Sequence, residues 1–315
     1  MNVLFGAPED AWGGIFYRYQ EALPEFNWQA LGHYDLKSLK GVDIFIPTMT
    51  RVTKEVLATA DQLKLIQQVG AGLEGVDLAA AQELNIPVAN VPTADSGNAD
   101  SVAELAVFMM LCLVRRFKEI PQAIAEQQLG APCGQTLRGH TVGLVGFGGL
   151  GQAVARCLSG FGMQMVAVKR TEDQKLAEQF SLNWCRSMDS LDELLAISDH
   201  VVLTLPDSAQ THHLFDEAKF KKFKPGAFVI NLGRGGLIDT NALVDALHSG
   251  HLAGAGLDVF EQEPPEPNQP LFLENVIATP HIGGVTDLSQ QGIFDAVTAN
   301  LKRLATEQPV LYRAV

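Results

Sequence analysis

The sequence is short of positive charge, short of cysteine, and free of long hydrophobic runs. Lys and Arg total 23 against 36 Asp and Glu, a formal net charge of −13 over 315 residues. Duplex nucleic-acid binders and polybasic membrane-surface proteins are basic, so neither nucleic acid nor membrane is expected as a partner. A small anion held by a few local cations stays compatible with this balance. The most apolar run, Val102 to Val114, contains Glu104 and falls short of the roughly 20 residues that span a bilayer. Met1-Asn2-Val3-Leu4-Phe5 has no basic segment ahead of an apolar stretch, so no secretory signal is expected. The four cysteines (Cys112, Cys133, Cys157 and Cys185) show neither CxxC nor metal-ligand spacing. They read as reduced, mostly buried small residues of a cytoplasmic protein, and no metal is expected.

What is present points to a folded chain of about two domains, at roughly 150 residues each. Hydrophobic residues make up 47% and charged residues 19%, enough to bury cores. Short apolar runs read as buried strands at Val3–Phe5, Val42–Ile46, Leu65–Val69 and Pro87–Asn90, with helical spacing over Thr53–Asp61 and Asp77–Leu84. Such alternation predicts a parallel sheet with helices on both faces. Residues 92–101 are small and polar, a candidate linker. Val102 to Phe117 reads as one helix, apolar around most of its circumference and so buried in a core or a subunit interface. A second series predicts strands at 141–146, 164–169, 200–205, 227–232, 253–258 and 275–278, and Asp287 to Arg303 is again helical.

The second series opens on Gly146-Phe147-Gly148-Gly149-Leu150-Gly151, a GxGxxG turn between an apolar strand and a helix beginning near Gln152. Alone the pattern is weak; inside a βαβ unit it fits a dinucleotide pyrophosphate. The first glycine makes the tight turn, the second admits backbone close to phosphate, and the third lets helix pack on strand. The helix N-terminus then offers partial positive charge. At the end of the next strand an NAD site usually carries an acid for the ribose 2′-hydroxyl. Here Lys169 stands eighteen residues after Gly151, followed by Arg170 and Thr171. Two cations and a hydroxyl suit a 2′-phosphate, which predicts NADP(H) in preference to NAD(H), with NAD(H) use still possible. The competing reading makes Lys169 and Arg170 a solvated strand end, with Glu172 or Asp173 as the acid.

Three further segments follow predicted strands: Asn231-Leu-Gly-Arg234-Gly-Gly, Gly256-Leu-Asp258-Val-Phe-Glu261-Gln-Glu263-Pro264, and Thr279-Pro280-His281-Ile-Gly-Gly284. They place an arginine, acids and a histidine at strand C-termini, the edge where open α/β sheets bind ligands. An Arg fork suits a carboxylate. A His–Glu pair suits proton transfer near neutral pH.

With these segments in order, nearly the whole chain resembles the D-isomer-specific 2-hydroxyacid dehydrogenases, the family that includes glyoxylate and hydroxypyruvate reductases. Val69-Gly-Ala-Gly-Leu-Glu-Gly-Val-Asp77 resembles the family's substrate loop, and Asp100-Ser-Val-Ala-Glu104 the start of its long helix. The resemblance implies an α/β fold of two Rossmann-like or flavodoxin-like domains with parallel sheets and an active-site cleft between them. Residues 1–94 with 287–315 would form the substrate-binding domain, and 95–286 the dinucleotide-binding domain. It also implies roles. Arg234 would clamp the substrate, His281 would be the acid/base, and Glu263 would orient it. The backbone amides of Ala71 and Gly72 would hold the carboxylate. Asp258 would contact the nicotinamide carboxamide, Thr204, Leu205 and Pro206 would line the adenosine side, and Leu232 and Gly233 would also face the cofactor. The substrate would be a small 2-oxo or 2-hydroxy acid, and helix 102–117 would serve a homodimer.

The other histidines (His33, His140, His200, His212, His213, His248, His251) read as structural, and Glu261 as a solvated loop acid. Met49, Arg51 and Leu73 are candidates for the substrate side-chain pocket. A formate dehydrogenase would carry Gln where Glu263 stands. Phosphoglycerate or phosphite dehydrogenases, or a non-catalytic dinucleotide-sensing scaffold, remain alternatives.

Overall fold

The computed structural model describes residues 1–93, 96–273 and 275–315. The chain divides into two compact units, Met1–Asn98 with Gly284–Val315, and Ala99–Gly283. The boundary expected at 94/95 lies outside the described residues.

The first unit holds β1 (Asn2–Phe5), β2 (Asn27–Ala30), β3 (Ile44–Ile46), β4 (Leu65–Gln67) and β5 (Val88–Ala89). They form a sheet in the order β2-β1-β3-β4-β5, parallel throughout. That is the flavodoxin-like order. Alternate residues feed opposite faces: Val3, Phe5, Ile44, Ile46 and Leu65 enter one core, Phe45 and Ile66 the other. Helix Asp287–Ala305 returns to this unit, capped by Thr286 and anchored by Val297 and Leu301 in the core with Phe5 and Tyr19.

The second unit holds β6 (Thr141–Val145), β7 (Gln164–Lys169), β8 (Trp184–Ser187), β9 (His200–Leu203), β10 (Ala227–Asn231), β11 (Leu252–Leu257) and β12 (Val276–Ala278). The order is β12-β11-β10-β9-β6-β7-β8, again all parallel. Counted from β6, this is the doubly wound Rossmann order with one added edge strand, and the order reverses between β6 and β9. Val142, Leu144, Met165 and Ala167 point into one core, and Val145, Val166 and Val168 into the other. Each of these Val, Leu and Met side chains contributes roughly 1.5–3 kcal/mol on burial, whereas exposed ion pairs contribute about 0–1. The two-faced cores therefore outweigh surface pairs such as Lys221–Glu217, whose side chains are mostly exposed.

Several expectations need correction. β2 and β8 were not predicted; they are edge strands with two apolar residues each, Trp28 with Ala30 and Trp184 with Cys185. Helix 53–61 shrinks to Lys54–Leu57, because Ala58 to Asp61 offer nothing large to bury and Thr59 Oγ1 bonds back to the Val56 carbonyl. The helix expected over 102–117 runs Asn98–Val114 and stops before Arg116, which takes φ +55°. Asn98–Ser101 is thus helix, not linker; Ala99 and Ser101 are small because they are buried. Positions 94 and 95 of that linker lie outside the described residues. All four cysteines are free, Cys112 and Cys185 buried and Cys133 exposed. Among the described residues, no helix is long and apolar enough to cross a membrane.

His200 opens β9 fully buried, stacked on Phe228 at 5.2 Å with His140 Nδ1 3.3 Å from its Nε2. Burial, then the neighbouring His140 charge, pushes its pKa down to about 4. The folded state therefore prefers neutral His200 while the unfolded chain takes up the proton near pH 6.5. Stability is full above that pH and falls as pH drops toward 4, by up to about 3 kcal/mol. Urea titrations at pH 7, 6, 5 and 4 should show this loss, and His200→Leu should flatten it; parallel profiles would remove His200 as the cause.

Candidate active site

Because every strand of the second sheet is parallel, the C-termini of β6, β7, β9, β10, β11 and β12 share one edge, and the glycine turn, Lys169, Thr204–Pro206, Arg234, the Glu263 loop and His281 all follow from it. At the end of β6 the chain turns through Gly146 at φ +94° into helix Gly149–Leu158. A Cβ on Gly146 would stand 2.9 Å from Thr204 Oγ1, and one on Gly151 would run into the Gly146 carbonyl. Thr204 Oγ1 donates to that same carbonyl at 2.7 Å, which ties the end of β9 to the turn. Gly148, by contrast, has nothing within 4 Å of its Cβ direction and is exposed. Two glycines are thus demanded by packing and the third by open space beside a helix N-terminus. That combination fits a pyrophosphate. Gly149 is exposed and Leu150 half-buried. Phe147 points its ring inward, edge-on to Phe180 at 5.3 Å, so only its backbone faces the turn.

At the end of β7, Lys169 Nζ lies 3.6 Å from Asp173 Oδ2. The other Asp173 oxygen caps helix Gln174–Gln179 through the Leu176 N–H at 3.0 Å. Arg170 and Thr171 are exposed. Leu205 and Pro206 follow β9, and the Leu205 carbonyl lies where a Cβ on Gly233 would fall. Leu232 is buried.

Arg234 sits three residues past β10. Asn231, itself buried, shapes its turn: Oδ1 accepts the Gly233 N–H at 3.1 Å, and Nδ2 donates to the Arg234 carbonyl at 2.9 Å. Arg234 Nη1 donates to the Gly233 carbonyl at 2.8 Å. Gly235 packs its backbone against the Phe260 carbonyl, leaving no room for a side chain.

His281 lies past β12 at φ +55°, a region costly for a residue with a Cβ and sustained by surrounding bonds. Its Nδ1 meets Glu263 Oε2 at 2.7 Å, and Glu263 Oε1 accepts the Phe260 N–H at 3.0 Å. Against an ionised Glu263, Nδ1 is the donor and Nε2 the nitrogen presented elsewhere. The loop is fixed by Asp258, whose carboxylate accepts from Thr279 Oγ1 at 2.6 Å and from the Ile282 and Gly283 N–H groups at 2.8 Å each. Burial pushes the Asp258 carboxyl above its ordinary pKa despite these bonds.

Glu261 is exposed, as expected, but it is also engaged. It accepts from His213 Nε2 at 2.6 Å and from the Thr240 N–H at 2.9 Å. Burial alone would raise its pKa, but the bonds from Thr240 and His213 outweigh it and hold the carboxyl below its ordinary value. Nothing local in the sequence showed these bonds, because the partners come from 21 and 48 residues away. Asn231 and Thr279 were also missed; the available signal was a polar residue ending or following an apolar strand.

In the first unit, Ala71 and Gly72 lie on the loop after β4. Among the described residues, their N–H groups have no hydrogen-bond acceptor.

A family model described as D-isomer specific 2-hydroxyacid dehydrogenase, NAD binding domain, matches residues 107–283. A glyoxylate reductase of Thermococcus litoralis is 36% identical over 84% of this chain and 81% of its own. A D-3-phosphoglycerate dehydrogenase of Methanocaldococcus jannaschii is 35% identical over 85% of this chain and 51% of its own. Among solved structures, a D-lactate dehydrogenase from Aquifex aeolicus complexed with NAD and lactic acid superposes with a TM-score of 0.84 at 29% identity, covering 98% of this chain and 96% of that one. With the Rossmann strand order and the glycine turn already in place, these likenesses settle the family: the chain belongs to the D-isomer specific 2-hydroxyacid dehydrogenases, oxidoreductases that use a nicotinamide dinucleotide.

Proposed function

We propose that this chain reduces a small 2-oxo acid of the glyoxylate or hydroxypyruvate kind to the D-2-hydroxy acid, reversibly and with NADPH preferred over NADH. The observation that carries the reading is the His281–Glu263 contact of 2.7 Å on the same strand-end edge as Arg234. The likeness to glyoxylate reductases supports the substrate class.

Arg234 and the N–H groups of Ala71 and Gly72 take the substrate carboxylate, and the Arg234 fork also polarises the 2-oxo group. His281, protonated, gives its Nε2 proton to the oxygen as it becomes an alkoxide; in oxidation, neutral His281 removes it. Glu263 fixes the ring and its tautomer through the Nδ1 contact. The glycine turn, Lys169, Arg170, Thr171, Thr204 to Pro206, Leu232, Gly233 and Asp258 hold the dinucleotide, whose nicotinamide ring supplies the hydride when bound. Residues 1–94 with 287–315 serve as the substrate-binding part and 95–286 as the dinucleotide-binding part.

Asp173 is engaged as a helix cap and pairs with Lys169 at 3.6 Å, which disfavours it as the acid for a ribose 2′-hydroxyl; exposed Arg170, and Lys169 exchanging Asp173 for the ligand, are the cations for a 2′-phosphate. A charge-assisted bond contributes about 1.5–3 kcal/mol, so kcat/KM should favour NADPH by about tenfold or more. A panel of glyoxylate, hydroxypyruvate, pyruvate and 3-phosphohydroxypyruvate with each cofactor measures this. Preference for NADH overturns the cofactor reading, and best turnover of the phosphorylated acid replaces the substrate. Negligible turnover of the whole panel alongside dinucleotide binding would favour a sensing scaffold.

His281→Ala should lower kcat by roughly 10²–10⁴-fold with the fold intact, and Glu263→Gln by less. Near-normal turnover of His281→Ala would remove it from the chemistry.

The reading includes a cytoplasmic homodimer. Phe108 on helix Asn98–Val114, then Phe117, Ile124 and Leu129, are large apolar residues exposed along one stretch of chain. Sedimentation should give about twice 34.0 kDa, and Phe108→Glu should shift the species toward monomer. A monomer at micromolar concentration would contradict this.

A further inference from the structure

The loop 69–73 leaves β4 and passes the end of β5, where two successive carbonyls are turned toward the segment Asn90–Val91. The Gly70 carbonyl accepts the Val91 N–H at 3.0 Å. The Ala71 carbonyl accepts Asn90 Nδ2 at 2.8 Å. In a trans peptide the carbonyl and the next N–H point in opposite directions. Holding the Gly70 carbonyl therefore directs the Ala71 N–H away from β5, and holding the Ala71 carbonyl directs the Gly72 N–H away as well. Neither N–H has an acceptor among the described residues. Successive N–H groups turned to one side make an anion-binding concavity.

The two restraints differ in kind. The one from Val91 is backbone, available to any residue but proline. The one from Asn90 is a side-chain amide, so one residue identity decides it. Asn90 is only half-buried. Its backbone N–H is separately bonded to the Tyr312 carbonyl at 3.2 Å, and β5 is further held by the Ala314 N–H on the Val88 carbonyl at 2.7 Å. The strand does not need the Asn90 amide to stay in place.

We infer that Asn90 is a positioning residue for the substrate carboxylate: its amide fixes the Ala71–Gly72 peptide so that the Gly72 N–H faces the anion. It touches neither the reacting atoms nor the dinucleotide. This rests on the proposed role of Ala71 and Gly72, and the test separates the two.

The variants are Asn90→Ala, Asn90→Asp and Gly72→Pro, the last removing the N–H itself. Steady-state kinetics with a 2-oxo acid is paired with NADPH titration by fluorescence and a thermal melt. Asn90→Ala should raise KM about five- to tenfold, with kcat within about twofold and NADPH affinity unchanged. Asn90→Asp, the same shape with an acceptor in place of the donor and a like charge near the substrate, should raise KM at least as much. It also serves if the alanine variant fails to fold. An unchanged KM in both Asn90 variants overturns the inference. So does a parallel loss of kcat and NADPH affinity, which would mark a merely structural role. If Gly72→Pro also leaves KM unchanged, the carboxylate role of this peptide falls; if Gly72→Pro raises KM and the Asn90 variants do not, only the role of Asn90 falls.

Discussion

Asp258 is 3% exposed, and a carboxylate buried this far is costly to keep charged. Three donated hydrogen bonds, all from residues 279–283, make it tolerable. Its own N–H donates to the Asn231 carbonyl at 3.1 Å, and the Asn231 side chain shapes the turn that presents Arg234. One chain of buried polar contacts thus joins the ends of β10, β11 and β12. Those three ends carry Arg234, the Glu263 loop and His281. Removing any member leaves an unsatisfied buried group, so the arrangement is held as a unit.

The close backbone approach of Gly235 to Phe260 works in the same place by sterics. So does Glu261, which joins three segments: its own loop, the start of helix Thr240–His248, and His213. His213 in turn donates its N–H to the Gly236 carbonyl at 2.7 Å. The edge that carries Arg234, Glu263 and His281 is therefore stiffened from below by packed strands and laterally by polar clasps, the rigidity that a proposed acid/base geometry would need.

Much of this fold was legible because buried parallel strands read as unbroken apolar runs, and β1, β3, β4, β6, β7, β9, β10 and β11 do. β2 and β8 escaped because an edge strand needs few apolar residues, and Asn27-Trp-Gln-Ala and Trp184-Cys-Arg-Ser have few. The start of helix Asn98–Val114 was read as linker because small residues signal both loops and tight packing. At the site, residues adjacent in sequence to a motif were visible, whereas clasps between distant segments were not. Asn90 and Ala71 are nineteen residues apart, and His213 and Glu261 forty-eight.

Taken by itself, the sequence determined the α/β class, the glycine turn and the residue types at the strand ends, because these follow from local periodicity and steric demand. It also determined which cations stand at the end of β7. The tertiary structure alone decided what each polar group is bonded to. Only there does the positive-charge-poor chain show open space at Gly148, N–H groups at Ala71 and Gly72 with no acceptor among the described residues, and Arg234 on a turn shaped by Asn231. Hydrogen bonds between distant segments depend on register and strand order, and those exist only once the sheets have formed.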